Sequence, residues 1–333
     1  MMKKLLLAII ISLNLFFVYG QVIPFEFEKQ TGYKGNNIPD LTYLEDSYSF
    51  LVLGDFGRVG DYYQQDVARE LGHATIVFDA EFIVSVGDNF YPNGVASVAD
   101  YHWISSFESV YKDPSLYRDW YVALGNHDYR GNVQAQIDYS NVSRRWNMPA
   151  RYYSKTFEIN GNEKMLLIVM DTNPYIESYH NSPEKYNGLA EQDTAKQTKW
   201  LVEQLKTDDP QVKWKIVVGH HPLYSGGKRK DSDDTKLFEK RFADLFDEYR
   251  VDAYICGHEH DLQIIKPKGR FTTQFLSGAA SEVRETGRRE GTIFSAAEPG
   301  FMTFSILGSK MLVQTVRADK IGATVLYKYE VTK

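Results

Sequence analysis

Five short segments carry the residues able to do chemistry. They are Gly54-Asp55-Phe56-Gly57, Gly87-Asp88-Asn89-Phe90-Tyr91, Gly125-Asn126-His127-Asp128, Gly219-His220-His221-Pro222 and Gly257-His258-Glu259-His260. Each sets a glycine ahead of side chains with oxygen or nitrogen donors. Carboxylates, imidazoles, an amide and a phenol suit metal ions of hard to borderline character. Sulfur takes no part. The chain has 1 cysteine, Cys256, which excludes an internal disulfide and a cysteine-built zinc cluster. Singly, each segment is weak, because Gly-Asp and Gly-Asn are ordinary turn pairs. Their weight lies in recurring five times in the same setting.

That setting is the end of an apolar run of strand length. The pattern predicts strands at Tyr48–Leu53, Phe82–Val86, Trp120–Leu124, Trp214–Val218 and Val251–Cys256, each leading into one of the five segments. A sixth, Lys164–Met170, ends at Asp171. Several are almost continuously apolar, as expected where both faces of a sheet are covered. Amphipathic stretches between them predict helices near 62–79, 98–110, 132–144, 192–206 and 234–249. From about 271 the pattern turns to alternating strands at 273–276, 300–307, 310–317 and 324–331. Ligand sites in α/β sheets form beyond the carboxyl ends of strands, and glycine lets the chain turn sharply there. The reading is one layered α/β domain over 48–333 with a sheet-rich C-terminal half, after an irregular lead-in at 21–47.

The chain has 333 residues, 38 Lys and Arg against 44 Asp and Glu, and a formal charge of −6. No basic footprint for nucleic acid exists. Met1-Met2-Lys3-Lys4 is a basic start, and Leu5–Val18 is apolar apart from Ser12 and Asn14. Tyr19-Gly20 then precedes Gln21. This is the layout of a secretory signal peptide over 1–20, and its apolar run falls short of the roughly 20 residues of a membrane span. Export with cleavage is expected, giving a secreted or periplasmic protein without a membrane anchor. Loss of Lys3 and Lys4 takes the charge from −6 to −8.

The five segments together resemble the metal-binding blocks of the purple acid phosphatases, within the calcineurin-like metallophosphoesterases. The likeness is greatest to the small, single-domain, tartrate-resistant type, and it covers about residues 48–330. It implies two mixed β-sheets packed together and flanked by helices. It implies a dinuclear centre in which Asp55, Asp88, Tyr91 and His260 bind one metal. Asp88 bridges, and Asn126, His220 and His258 complete the second site. Ionising a phenol of pKa near 10 at pH 5 costs about 7 kcal/mol, so the first site calls for Fe(III). The nearly neutral second site suits a divalent Fe, Zn or Mn. Many related metallophosphoesterases have Asp-x-His in the first block and no Tyr in the second; here Gly57 and Tyr91 stand there.

The activity implied is hydrolysis of phosphomonoesters in acid, with metal-bound hydroxide attacking phosphorus in line. His127 would contact the phosphate or protonate the leaving alcohol, and Asp128 would orient His127 or a ligand. Asp171 is a further supporting candidate. The expected substrates are phosphorylated small molecules or phosphoproteins, and the expected state is a monomer. Alternatives are a phosphodiesterase or nucleotide phosphohydrolase on the same core, or a secreted iron-binding or redox protein. Relatives place another His in the loop after the fourth block. Here Ser225–Asp231 has none, leaving Lys228 or Arg229 as candidates to hold phosphate oxygens. The stretch 173–188 reads as a lid or an exposed connection. Cys256 reads as buried packing, and Asn141-Val142-Ser143 is a glycosylation sequon.

Overall fold

The computed structural model describes residues 38–159 and 161–333. The expected signal peptide, and the lead-in up to residue 37, lie outside the described residues. Among the described residues, fourteen strands form two seven-stranded sheets. The first runs β14 (Gly322–Thr332), β13 (Lys310–Asp319), β12 (Gly300–Leu307), β1 (Tyr48–Leu53), β2 (Phe82–Ser85), β3 (Asp119–Val122) and β4 (Trp146–Asn147). The second runs β11 (Thr292–Ala296), β9 (Leu262–Ile265), β10 (Thr273–Ser277), β8 (Ala253–Cys256), β7 (Val212–Val218), β6 (Glu163–Val169) and β5 (Tyr153–Ile159). Within them β1, β2, β3 and β4 are parallel neighbours, as are β6, β7, β8 and β10.

Aromatic side chains fill the space between the sheets. Phe82 of β2 stacks on Phe157 of β5 with ring centroids 4.6 Å apart, and Phe275 of β10 meets Phe304 of β12 at 5.3 Å. The Tyr153 hydroxyl of β5 donates to the Val122 carbonyl of β3 and accepts from its amide. Buried rings of this size supply much of the apolar area that holds two layers in register. Among the described residues no helix is long and apolar enough to cross a membrane.

The helices are α1 (Gln64–Phe78), α2 (Val133–Asp138), α3 (Glu177–His180), α4 (Thr194–Leu205) and α5 (Asp233–Glu248). The carboxylate of Asp193 caps α4 and the hydroxyl of Ser232 caps α5, each accepting from a first-turn amide. Two expectations need correction. The stretch 98–110 holds only a π-helical turn at Trp103–Glu108, and 132–144 is helical over α2 alone before a tight turn at Tyr139–Asn141. Large rings decide both cases: Trp103 stacks on Tyr139 at 3.5 Å and meets Trp146 edge-on, so packing overrides helix periodicity there. The short β4 and the strands β5, β9 and β11 also went unread. β9 begins two residues after His260 ends the fifth block, and β11 is half-buried throughout.

Candidate metal centre

The five segments meet where the carboxyl ends of the two sheets face each other. The tips of β1, β2 and β3 arrive from one sheet, and those of β7 and β8 from the other. Backbone geometry shows how tightly they are drawn together. Asp55, Asp88 and His258 all have positive φ, at 58°, 53° and 73°. Such conformations cost energy in non-glycine residues and cluster at functional sites. Gly125 has to be glycine, because a Cβ there would lie 2.2 Å from both the amide and Oδ1 of Asp88.

One half of the cluster is acidic. The Tyr91 hydroxyl lies 3.1 Å from Oδ1 of Asp55, 2.9 Å from Oδ2 of Asp88 and 3.3 Å from Nε2 of His260. All four side chains are buried. Burial first, then the charge of Asp88, pushes the Asp55 carboxyl well above the usual carboxylate range. Burial, followed by the charges of Asp55 and Asp88, likewise raises the Tyr91 phenol. Burial also holds the His260 imidazole neutral, with its pKa down at about 2. Two carboxyl groups and a phenol oxygen therefore converge in a buried place.

The other half is nearly neutral. His220 hydrogen-bonds the Val86 carbonyl through Nδ1 at 2.8 Å, which places the proton on that nitrogen and turns the lone pair of Nε2 into the cluster. Nε2 lies 3.3 Å from Oδ1 of Asn126, 3.1 Å from Nδ1 of His258 and 3.5 Å from Oδ1 of Asp88. Asp88 thus presents one oxygen to each half. Burial holds both His220 and His258 below the ordinary histidine range, so both are neutral donors.

The donor set fits a pair of cations. Ligand atoms of Asp55, Asp88 and His220 all lie within 4.8 Å of one another. The Nδ1 of His260 is buried without a hydrogen-bond partner while Oε2 of Glu282 stands 3.5 Å away, as in a histidine oriented by a carboxylate behind it. A positive charge at the centre would relieve the crowding of Asp55, Asp88 and Tyr91. His221 also lies near, grouped with His220 and His258. Both its nitrogens are committed, Nδ1 to Thr172 Oγ1 at 2.8 Å and Nε2 to Tyr179 OH at 2.9 Å, so it supports rather than binds.

Comparison with known proteins places the chain in a family. Residues 48–262 match the calcineurin-like phosphoesterase family. Purple acid phosphatase 7 of Arabidopsis thaliana is 33% identical over 314 residues, covering 91% of this chain and 90% of that protein. Tartrate-resistant acid phosphatase type 5 of Sus scrofa is 35% identical over 244 residues, covering 70% and 69%.

The chain belongs to the purple acid phosphatase family.

In fold it also resembles GAP50 of Plasmodium, with TM-score 0.72 at 24% identity over 86% of this chain and 89% of that one. A purple acid phosphatase from yellow lupin seeds gives TM-score 0.64 at 14% identity over 90% and 55%. The purple acid phosphatase relatives imply a dinuclear metal centre, and this cluster offers candidate residues for one.

The remaining candidates of this purple acid phosphatase fall into place by their contacts. His127 lies with its ring 4.2 Å from that of Tyr91 and its Nε2 3.9 Å from Oδ2 of Asp88. Its Nδ1 hydrogen-bonds the Pro92 carbonyl at 2.6 Å. Asp128, expected beside His127 to orient it or a ligand, is fully buried. Its carboxylate accepts from the Gly125 amide, the Asn89 amide and side chain, and Gln136. It therefore braces the loops that carry Asn126 and Asp88. Asp171 accepts from Tyr129 and from Asn173, fixing the turn after β6. Lys228 is exposed. Arg229 instead donates to the His258 carbonyl at 3.2 Å and to Glu259 at 3.1 Å. In the stretch 173–188 residues 173–176, Tyr179 and Tyr186 are buried, Tyr179 stacking on Tyr186 at 4.2 Å, and most of the rest is exposed.

Residues the sequence reading missed surround the acidic half. The Arg58 guanidinium sits 3.7 Å over the Tyr91 ring and pairs with Glu282 at 2.5 Å. Arg284 joins the same carboxylate at 3.2 Å, and its amide donates to the His260 carbonyl. Arg58 follows the first block directly, which is a usable signal. Glu282 and Arg284 sit in a long irregular connection, where nothing in the pattern marks them.

Proposed function

We propose that this chain is an exported acid phosphatase in which Asp55, Asp88, Tyr91 and His260 hold Fe(III), and Asp88, Asn126, His220 and His258 hold a divalent Fe, Zn or Mn. The observation that carries the reading is the position of the Tyr91 oxygen between two buried carboxylates and His260. A phenol there demands a cation of high charge before it gives up its proton. The bound pair of ions supplies Lewis acidity that polarises a phosphoryl group and acidifies water.

The chain's own residues do the rest. Asp88 turns Oδ2 to the acidic half and Oδ1 to the neutral half, so one carboxylate would hold both ions. With Nδ1 tied to the Pro92 carbonyl, His127 turns Nε2 toward the site, where it can hold a phosphate oxygen or carry a proton to the leaving alcohol. Asp128 keeps the third block against the second. Residues 48–333 would act as one domain, released as a monomer after loss of 1–20, on phosphorylated small molecules or phosphoproteins.

The test is expression of the chain from Gln21 with iron present. A purple protein holding two metals per chain and hydrolysing an aryl phosphate in acid supports the reading. A colourless protein with one divalent ion would overturn the Fe(III)-tyrosinate assignment.

A further inference from the structure

A cavity of 270 Å³ opens from the neutral half of the centre, with Asn126 and His258 at its inner end. Its apolar walls are Ile176, Tyr179, Tyr186 and Phe238, all buried. Three cations line it: Arg130, Lys185 and Arg229. The carboxylate in the lining is Asp234, which accepts from the amide and hydroxyl of Ser178. Three positive groups facing one cavity is unexpected in a chain whose formal charge is −6.

Two of the three cations have polar partners. Arg229 is anchored by Glu259 and the His258 carbonyl. Arg130 lies 3.0 Å from Nδ1 of His127 and 3.3 Å from the Pro92 carbonyl. Lys185 is exposed, with its ammonium 5.4 Å from the Tyr186 ring centroid. Glu259 pairs with Arg229 and Asp234 lies in the lining, so three cations stand against two carboxylates, and a bound anion would balance the remainder.

We propose that this cavity is a subsite for a second anionic group carried by the leaving portion of the substrate, with Arg130, Lys185 and Arg229 as its recognising charges. The inference rests on the phosphatase reading, because the reacting phosphoryl group must sit at the centre for its leaving portion to enter here. The preferred substrates are then phosphomonoesters that bear a further phosphate or carboxylate. The stacked Tyr179–Tyr186 pair favours a flat spacer between the two anions.

A matched pair of probes tests this on the metal-loaded enzyme: 4-carboxyphenyl phosphate against 4-carbamoylphenyl phosphate, near pH 6 and at low salt. The carboxylate probe should show a kcat/KM about tenfold higher, the scale of a few partly exposed charge contacts. Lys185→Gln should shrink that ratio to about threefold, Lys185→Arg should keep it, and added salt should erode it. Equal kcat/KM for the two probes in the unaltered enzyme would overturn the subsite and leave the phosphatase standing. So would a Lys185→Gln loss that is the same for both. Hydrolysis of neither probe would bring down the phosphatase reading, and the subsite with it.

Discussion

The two halves of the centre are built on opposite principles. Around Tyr91 the donors are acidic and are backed by a ring of charge, with Arg58, Glu282 and Arg284 packed behind Tyr91 and His260. Around His220 the donors are neutral, and the space beyond them is the cavity beside Asn126 and His258. A closed, strongly negative pocket retains a highly charged ion. An open, weakly negative one can exchange ligands and receive substrate. The halves differ in charge and access, and Asp88 presents an oxygen to each.

The sharpest way to break the comparison is therefore Asp88→Asn. It removes the one carboxylate that presents an oxygen to each half. Activity should fall by about 10³-fold or more, with metal content dropping in both halves when measured by elemental analysis. Because ions that bind only the folded chain stabilise it by mass action, roughly 2.7 kcal/mol at a hundredfold excess over Kd, the unaltered protein should lose about 5 °C of Tm on chelation. Asp88→Asn should lose little further. A variant that kept one tightly bound ion with the visible colour intact would show that the halves are independent.

How much of this was legible in the sequence depends on the kind of interaction. The glycine-plus-ligand tips could be read because an apolar run, a glycine and a donor form a local pattern. The Tyr48–Leu53 strand was read to the residue. Sequence spacing did not show that β1–β3 and β7–β8 lie in different sheets, since pairing of β1 with β12 joins residues 250 or more apart. Arg58 with Glu282 is another such long-range pair. The short turn at Trp103–Glu108 misled because ring packing, not periodicity, sets it. The charge lining of the cavity comes from three separated segments, and none carries a motif.

His127→Ala comes next in size. The imidazole lies beside both halves, with Nε2 3.9 Å from Asp88 and the ring against Tyr91. It is not counted among the metal donors. A positioned acid contributes about 10²-fold, so kcat should fall by that factor while metal content and colour persist. A loss confined to KM would reduce His127 to a phosphate contact. A loss of colour would place it with the acidic half.

Tyr91→Phe is expected to be smaller in rate and larger in spectrum. It deletes one oxygen from the acidic half and leaves the neutral half intact. Activity should fall about tenfold to a hundredfold, the range seen when a metal's immediate surroundings are altered. The visible band should vanish, and the first site should come to accept divalent ions. If the purple colour survived in Tyr91→Phe, the acidic half would owe its character to some other group.

The smallest effect isolates the charge behind the acidic half. Arg58 reaches no metal donor atom, yet its guanidinium lies 3.7 Å over the Tyr91 ring and pairs with Glu282. A cation over an aromatic face is worth about 0.5–2 kcal/mol, and more of it is felt once the ring carries phenolate charge. Arg58→Met keeps the bulk over the ring and removes the charge. The phenolate is then a richer electron donor, so the visible band should move to longer wavelength, while activity changes by about twofold to fivefold. Arg58→Lys should restore the band only in part, because an ammonium cannot lie flat on the ring and hold Glu282 at once. An unmoved band in Arg58→Met would mean that the backing charges only pack the site, and the contrast between the halves would then reside in the donor atoms alone.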